Sequence, residues 1–232
     1  MTSTGGNPIL TSDQWKAKRE DIRQRIIWGL GQAPPAANGP AGDYGAEPIH
    51  KAILFGRAGV PDGLVKQSIN FGNYVTADLY YRADVPHGGQ KIPAVIWLHP
   101  VSNSSGYVAG YRRGEPVHLA LARAGFAVFT FDQIGNGNRL DEARHFYRRY
   151  PQWSLLGKTV QETRTAVDAT VQSGFVDSHR IFLLGYGTGG MAALYAAALD
   201  DRIAGVVSVA GFTPMRLDAI KKGTGSLAPS QE

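Results

Sequence analysis

Cysteine is absent from the 232 residues, which excludes disulfides and thiolate zinc sites and leaves the redox compartment undetermined. No His and carboxylate set shows ligand spacing such as H-E-x-x-H, so no metal is implied, and no cofactor is expected. Long apolar runs are lacking too, and none could span a bilayer. With 43% hydrophobic and 19% charged residues the composition is that of a globular chain, neither a polar tail nor a membrane protein. A strong excess of one charge is missing. The 24 Lys and Arg against 19 Asp and Glu give +5, and the basic residues come as scattered pairs (Arg112-Arg113, Arg148-Arg149, Lys221-Lys222) rather than one stripe, which argues against nucleic acid. The opening MTSTGGNPIL has neither the basic nor the apolar region of a signal peptide, so a cytoplasmic location is the default expectation, unless a leader is missing.

What is present suffices for one large domain or two small ones, at about 150 residues per domain. The first element reads as a helix from about Asp13 to Leu30: Trp15, Ile22, Ile26 and Leu30 share a face, Thr11 with Gln14 forms a capping box, and Gly31 is a natural stop. Residues 32–48 are rich in Pro, Gly and Ala and read as an irregular connection. Val75, Ala77, Leu79 and Tyr81 alternate as in a half-buried antiparallel strand, PHGGQ at 86–90 reads as a turn, and a short strand around Ile53–Phe55 pairs nearby. Beyond the turn come short continuous apolar runs, AVIWL at 94–98, FAVFTF at 126–131, IFLL at 181–184 and IAGVVSVA at 203–210, with helical patterns at 118–124, 160–171 and 191–199 between them. Such runs are buried on both faces, as in a parallel sheet, so the fold class is α/β, a layer sandwich with helices on both faces of the sheet. The expected division is 1–48 for the helix and connection, 49–216 for the α/β domain, and 217–232 for a flexible tail.

Chemistry in open α/β sheets sits at the carboxyl ends of the strands, which places His99-Pro100-Val101-Ser102, the stretch from Asp132 to Arg139, and Gly185 to Gly190 at one edge. GYGTGG, between a strand and an Ala-rich helix, has two readings. One is the nucleophile elbow G-x-S-x-G, with Gly187 in the serine's place. The other is G-x-G-x-x-G, met literally by Gly185, Gly187 and Gly190, which would seat a dinucleotide pyrophosphate on the helix N-terminus. Further βαβ units and an acidic residue after the next strand are missing from that second reading, since IAGVVSVA ends in Gly211-Phe212-Thr213.

The order IWLHP, FTFDQIGNGNR, RIFLLGYGTGG, VVSVAGFTP resembles the α/β-hydrolase fold over about residues 90–216. The stretch from Phe131 to Thr170 is similar to bacterial dienelactone hydrolases and acetyl xylan esterases, and the helix ending at Gly31 suits them. The resemblance implies a mostly parallel sheet with antiparallel N-terminal strands, and ester hydrolysis by serine, histidine base and orienting acid in the chain order Ser, Asp or Glu, His. Carried over, Gly187 falls on the nucleophile, while the backbone N–H groups of Thr188 and Val101 fall on the oxyanion donors. Glycine has no oxygen to acylate. The histidines stand at 50, 87, 99, 118, 145 and 179, all before the elbow, and of the later acids only Asp218 suits the orienting role. Two strand-helix-strand units are implied after residue 210 where 22 residues remain, so the fold reads as C-terminally incomplete.

Competing structural readings attach to each residue. His99 lines the site or hydrogen-bonds loop backbone and shapes the oxyanion turn; Asp132 with Gly135, Gly137 and Arg139 reads as a buried turn. Ser102 and Tyr186 are candidate site lining, and Ser104 and Ser105 lie on the same loop. Tyr107, Tyr111, Arg112 and Arg113 suit an anionic or sugar-like ligand or a solvated face, and Tyr147, Tyr150 and Trp153 suit packing of the long crossover. Two functions result: an esterase impaired or incomplete as written, or a non-catalytic module that binds a small ester or carboxylate.

Overall fold

A computed structural model describes residue 2 and residues 5–33, 53–60, 63–85, 89–108 and 114–212, with the backbone alone for 53–59. The expected Pro/Gly-rich connection beyond residue 33, most of the 86–90 turn, the tail, and His50, His87, Tyr111, Arg112, Arg113 and Asp218 lie outside those residues.

Seven strands form one sheet: β1 (Ile53–Val60), β2 (Leu64–Phe71), β3 (Val75–Arg82), β4 (Ile92–Leu98), β5 (Ala127–Phe131), β6 (Val176–Tyr186) and β7 (Ile203–Val209), in the order β1-β2-β3-β5-β4-β6-β7. The first three make an antiparallel meander that joins β5 antiparallel, from Ala77 opposite Phe131 to Tyr80 opposite Val128. β5, β4, β6 and β7 are parallel, as their continuous apolar runs require. Period-two alternation then sends Leu79, Phe129 and Ile96 to one face, under α5 (Leu155–Gln172) and α6 (Thr188–Leu199), and Tyr80, Val128 and Trp97 to the other, beside α2 (Val117–Arg123).

α1 (Ser12–Leu30) opens on the expected capping box: the Thr11 hydroxyl accepts from Gln14 N–H at 3.2 Å, and the Gln14 side chain accepts from Thr11 N–H at 3.1 Å. Its predicted apolar face is only half used. Ile26 and Leu30 reach the core, whereas Trp15 and Ile22 stay 40% and 36% exposed, because α1 is fastened largely by polar ties, Arg19 and Arg23 to Asp201 and the Ser154 hydroxyl to Leu30 O.

Four elements depart from expectation. β1 is longer than Ile53–Phe55, and β2 was not foreseen, since Lys66, Gln67 and Ser68 interrupt its alternation. β3 is buried on both faces rather than one, with Asp78 and Tyr80 at 7% and 4% exposure, because His118 of α2 and Tyr107 of a 3-10 segment (Asn103–Val108) cover its second face. β7 is more open than a central parallel strand, Val207 being 57% exposed, since it is the outer strand of the described sheet.

That second face gives stability a pH dependence. His118 stacks on Tyr80 at 4.8 Å and meets Tyr107 edge-on at 5.5 Å, and burial pushes its pKa down to about 4 against the pull of Asp78 and Glu115, with Lys66 adding to the lowering. Because the folded pKa lies below the unfolded one, the unfolded chain binds the extra proton. The contribution is complete above pH about 6.5 and is lost as pH falls toward 4. His118→Gln should therefore lessen by about 2 kcal/mol the stability that urea unfolding shows being lost between pH 7 and pH 5, leaving the share of buried His99, whose pKa is lowered too. Parallel losses in both proteins would assign the effect to other groups.

Candidate active site

The turn from β6 into α6 is built by steric exclusion. A Cβ at Gly185 would stand 2.3 Å from Gly189 O, and one at Gly189 would stand 2.1 Å from Leu98 O and 2.6 Å from His99 O, so neither position accepts a side chain without backbone movement. Between them Gly187 has φ 57° and ψ −122°, a left-handed backbone that favours glycine. Its N–H donates to Val209 O at 2.9 Å and its carbonyl accepts from Met191 N–H at 3.1 Å. A Cβ here would meet Pro100 Cβ at 3.3 Å, tighter than ordinary contact, so this position takes a side chain only if Pro100 gives by a few tenths of an ångström, a milder demand than at Gly185 or Gly189. Thr188 begins α6, and its N–H, like every amide of a first helical turn, has no acceptor within the helix.

Against this elbow lies the turn after β4. His99 is fully buried, and its ring is committed to backbone on both sides. Nε2 accepts from Gln133 N–H at 3.2 Å, which puts the proton on Nδ1, 2.6 Å from Pro100 O. Ser102 Oγ is 3.3 Å from that same Nδ1, so the hydroxyl can accept from the imidazole but cannot pass it a proton. Burial also lowers the His99 pKa, the Pro100 carbonyl and Asp132 opposing weakly, which keeps the ring neutral. Val101 stands 42% exposed beside it. Ser102 N–H donates to Asn136 Oδ1 at 2.8 Å, tying this turn to the next one.

That next turn, after β5, is organised by Asp132, whose carboxylate accepts from Tyr107 N–H at 2.9 Å and Asn138 N–H at 3.0 Å. Gly106 and Gly137 press so closely that a Cβ at either would fall 2.0 Å from the carboxylate. Arg139 reaches back to Asp132 O at 3.0 Å and forms a two-pronged pair with buried Glu162 of α5, at 2.8 and 2.6 Å. Buried Lys158 adds a second cation 3.2 Å from Glu162, with Trp153 below its ammonium at 5.4 Å. Although burial alone would raise the Glu162 pKa, Arg139 and Lys158 hold it below the usual carboxylate range.

The structure thus brings His99, Pro100, Gly185, Gly187 and Gly189 together at the carboxyl edge, with Val101 and Ser102 following His99 on the same turn and Thr188 following the elbow. Tyr186, half-buried, packs with the Trp97 and Tyr80 cluster. Ser104 and Ser105 are exposed. Phe146, Tyr150 and Trp153 form their own aromatic cluster under the crossover, while Tyr147 is 48% exposed. Asp200 and Asp201 end α6 in ion pairs with Arg202 and with Arg19 and Arg23, away from the elbow. A cavity of about 700 Å³ lies elsewhere too, lined by Thr165, Asp168, His179 and Arg202 among others. Among the described residues no group of His, Asp and Glu is arranged to hold a metal, and no helix is long and apolar enough to cross a membrane. Gln133 and Asn136, which lock the turn after β4, escape sequence reasoning; the polar G-N-G-N run is a local signal for Asn136 alone.

No curated protein matches the chain. Among solved structures, a glucuronoyl esterase from Solibacter usitatus superposes with a TM-score of 0.63 at 13% identity over 95% of this chain and 67% of that one. A Bacteroides fragilis protein assigned as an acetyl xylan esterase gives 0.63 at 13% over 85% and 54%, and the acetyl xylan esterase from Paenibacillus sp. R4 gives 0.53 at 18% over 96% and 67%. The chain therefore spans between 54% and 67% of the length of these structures, and at such identities the likeness is one of fold. The sequence model of the serine aminopeptidase S33 family matches residues 100–229, more than half of the chain, a stretch that holds the elbow and the turn after β5 and begins one residue beyond His99. On that match and this sheet order, the chain belongs to the serine aminopeptidase S33 family and has the α/β-hydrolase fold.

Proposed function

We propose that this chain is an esterase-type α/β-hydrolase domain that keeps the acyl-binding half of a serine hydrolase site and lacks its nucleophile. The observation that carries this reading is Gly187, held at φ 57° and ψ −122° between two sterically required glycines, where a serine hydroxyl would attack. Thr188 N–H and Val101 N–H are the donors that would receive a carbonyl oxygen, so a small carboxylic ester or carboxylate is the ligand class. The names of the structural neighbours, acetyl xylan esterase and glucuronoyl esterase, make acetylated and uronic-acid-bearing sugars the first candidates. Turnover is another matter: hydrogen at position 187 forms no acyl intermediate. Restoring the serine alone supplies an unactivated hydroxyl, because the nearby imidazole, His99, has given both nitrogens to backbone.

The 232-residue chain should hydrolyse 4-nitrophenyl acetate no faster than buffer, and Gly187→Ser should leave that rate at background. Rapid turnover by either protein would overturn the reading. Acetate should shift the amide resonances of residues 101 and 187–188 saturably; no shift at acetate concentrations that saturate weak carboxylate sites would remove the binding half of the proposal.

A further inference from the structure

The loop that carries Val101 and Ser102 runs on into the 3-10 segment at Asn103–Val108 and is tied down at three points. Two of them, Ser102 N–H to Asn136 and Tyr107 N–H to Asp132, come from the turn after β5. The third comes from the other half of the sheet. The Tyr107 hydroxyl donates to the carboxylate of Asp78, a residue 7% exposed in the middle of β3. Asp78 is itself fixed by the Ser68 hydroxyl at 2.8 Å and by Lys66 at 3.0 Å, both from β2, and the Tyr80 hydroxyl lies 3.1 Å from that of Tyr107. A carboxylate buried in an antiparallel strand is costly unless it is paired and hydrogen-bonded, and here its partners converge on one tyrosine of the loop.

We propose that Tyr107 is a positioning residue: through Asp78 it sets where residues 101–108 stand over the carboxyl edge, and so where the Val101 N–H is presented to an acyl oxygen. This assignment rests on the reading of Val101 as an oxyanion donor. The charge-assisted bond to Asp78 is a side-chain tie from the antiparallel strands to this loop, complementing the two from the turn after β5, and the rings of Tyr80 and His118 hold the phenol in place while contributing no hydrogen bond to Asp78. Removing the hydroxyl therefore leaves the ring packing intact, and Asp78 keeps Ser68 and Lys66, so no buried charge is orphaned.

The test is Tyr107→Phe in the full chain, read by amide hydrogen exchange and by acetate titration. Exchange at residues 102–107 should speed up by about tenfold while the central amides of β4, β5 and β6 keep their rates, and acetate should bind several-fold more weakly. Asp78→Ala should reproduce the loop effect, and the double variant should be no looser than either single one. Unchanged exchange in the loop, or uniform acceleration throughout the sheet, would overturn the proposal; where Asp78→Ala fails to fold, the exchange pattern of Tyr107→Phe decides alone. If the unaltered chain does not bind acetate, the acyl-binding reading falls, while the exchange data still decide whether Tyr107 holds the loop.

Discussion

Replacing Glu162 by glutamine should cost about 3–5 kcal/mol of folding stability, a large part of the roughly 5–15 kcal/mol that a domain has. The shape of the side chain is retained, so the loss is electrostatic. Glu162 is 4% exposed and pairs with Arg139 and Lys158 together; once it is neutral, Arg139 keeps the more exposed Glu142 at 2.6 Å, while Lys158, 2% exposed, loses this carboxylate. Arg139 also holds Asp132 O, and the Asp132 carboxylate anchors Tyr107 and Asn138, so the damage reaches the turn that faces the elbow. Urea titration is the check: the midpoint should fall with little change in slope. The same pair works with pH in a definite sense. Because the Glu162 pKa is depressed in the folded state, its contribution is present above the ordinary carboxylate pKa and is lost as pH falls through the lower folded value. A loss below 1 kcal/mol in Glu162→Gln would mean that water or the neighbouring Glu142 compensates the two cations.

Gly189→Ala should be the second large effect, about 3 kcal/mol of destabilisation, although alanine is the better helix former and would add about 1 kcal/mol on an open helix surface. The new methyl would lie 2.1 Å from Leu98 O, against backbone that also carries His99, so α6 must lift off the end of β4. Gly187→Ala is the matched control. Its methyl meets the Pro100 side chain at 3.3 Å and pays chiefly for the left-handed backbone, about 1 kcal/mol. Comparing the two unfolding midpoints separates steric need from conformational preference within one motif. Equal and small losses would show that α6 does not rest on the carbonyls of β4.

The parallel half of the sheet was legible because burial on both faces leaves a continuous apolar run, and AVIWL, FAVFTF and IFLL fall within or against β4, β5 and β6. The turn from β6 into α6 was legible because its glycines stand within five residues of one another between an apolar run and an Ala-rich helix, although what excludes a side chain at Gly189, the carbonyls of Leu98 and His99, lies about ninety positions away. What escaped depends on pairs far apart in the chain. The LVKQSINF strand hides behind Lys66 and Ser68, whose polarity makes sense only once Asp78 is placed opposite Ser68. Burial of Asp78 and Tyr80 likewise needed α2 and the 3-10 segment to be brought over β3, and no periodicity within β3 announces that cover. The sequence around His99 is compatible with two roles, and the Gln133 amide on its Nε2, 34 positions along, together with Pro100 O at Nδ1, is what commits its nitrogens to backbone.

The sheet order also bears on how the molecule assembles. β2 and β3 meet through the short connection from Asn70 to Thr76, whereas β4 meets β6 only when Ile96 finds Leu183. Closing a loop more than ten times longer costs about 2 kcal/mol more in chain entropy before any contact repays it. The meander at one edge is thus the inexpensive half to nucleate, and the parallel half gains its contacts late, by long-range pairing. Since β6 lies between β4 and β7, the turn into α6 takes its place at the carboxyl edge only through those long-range pairings.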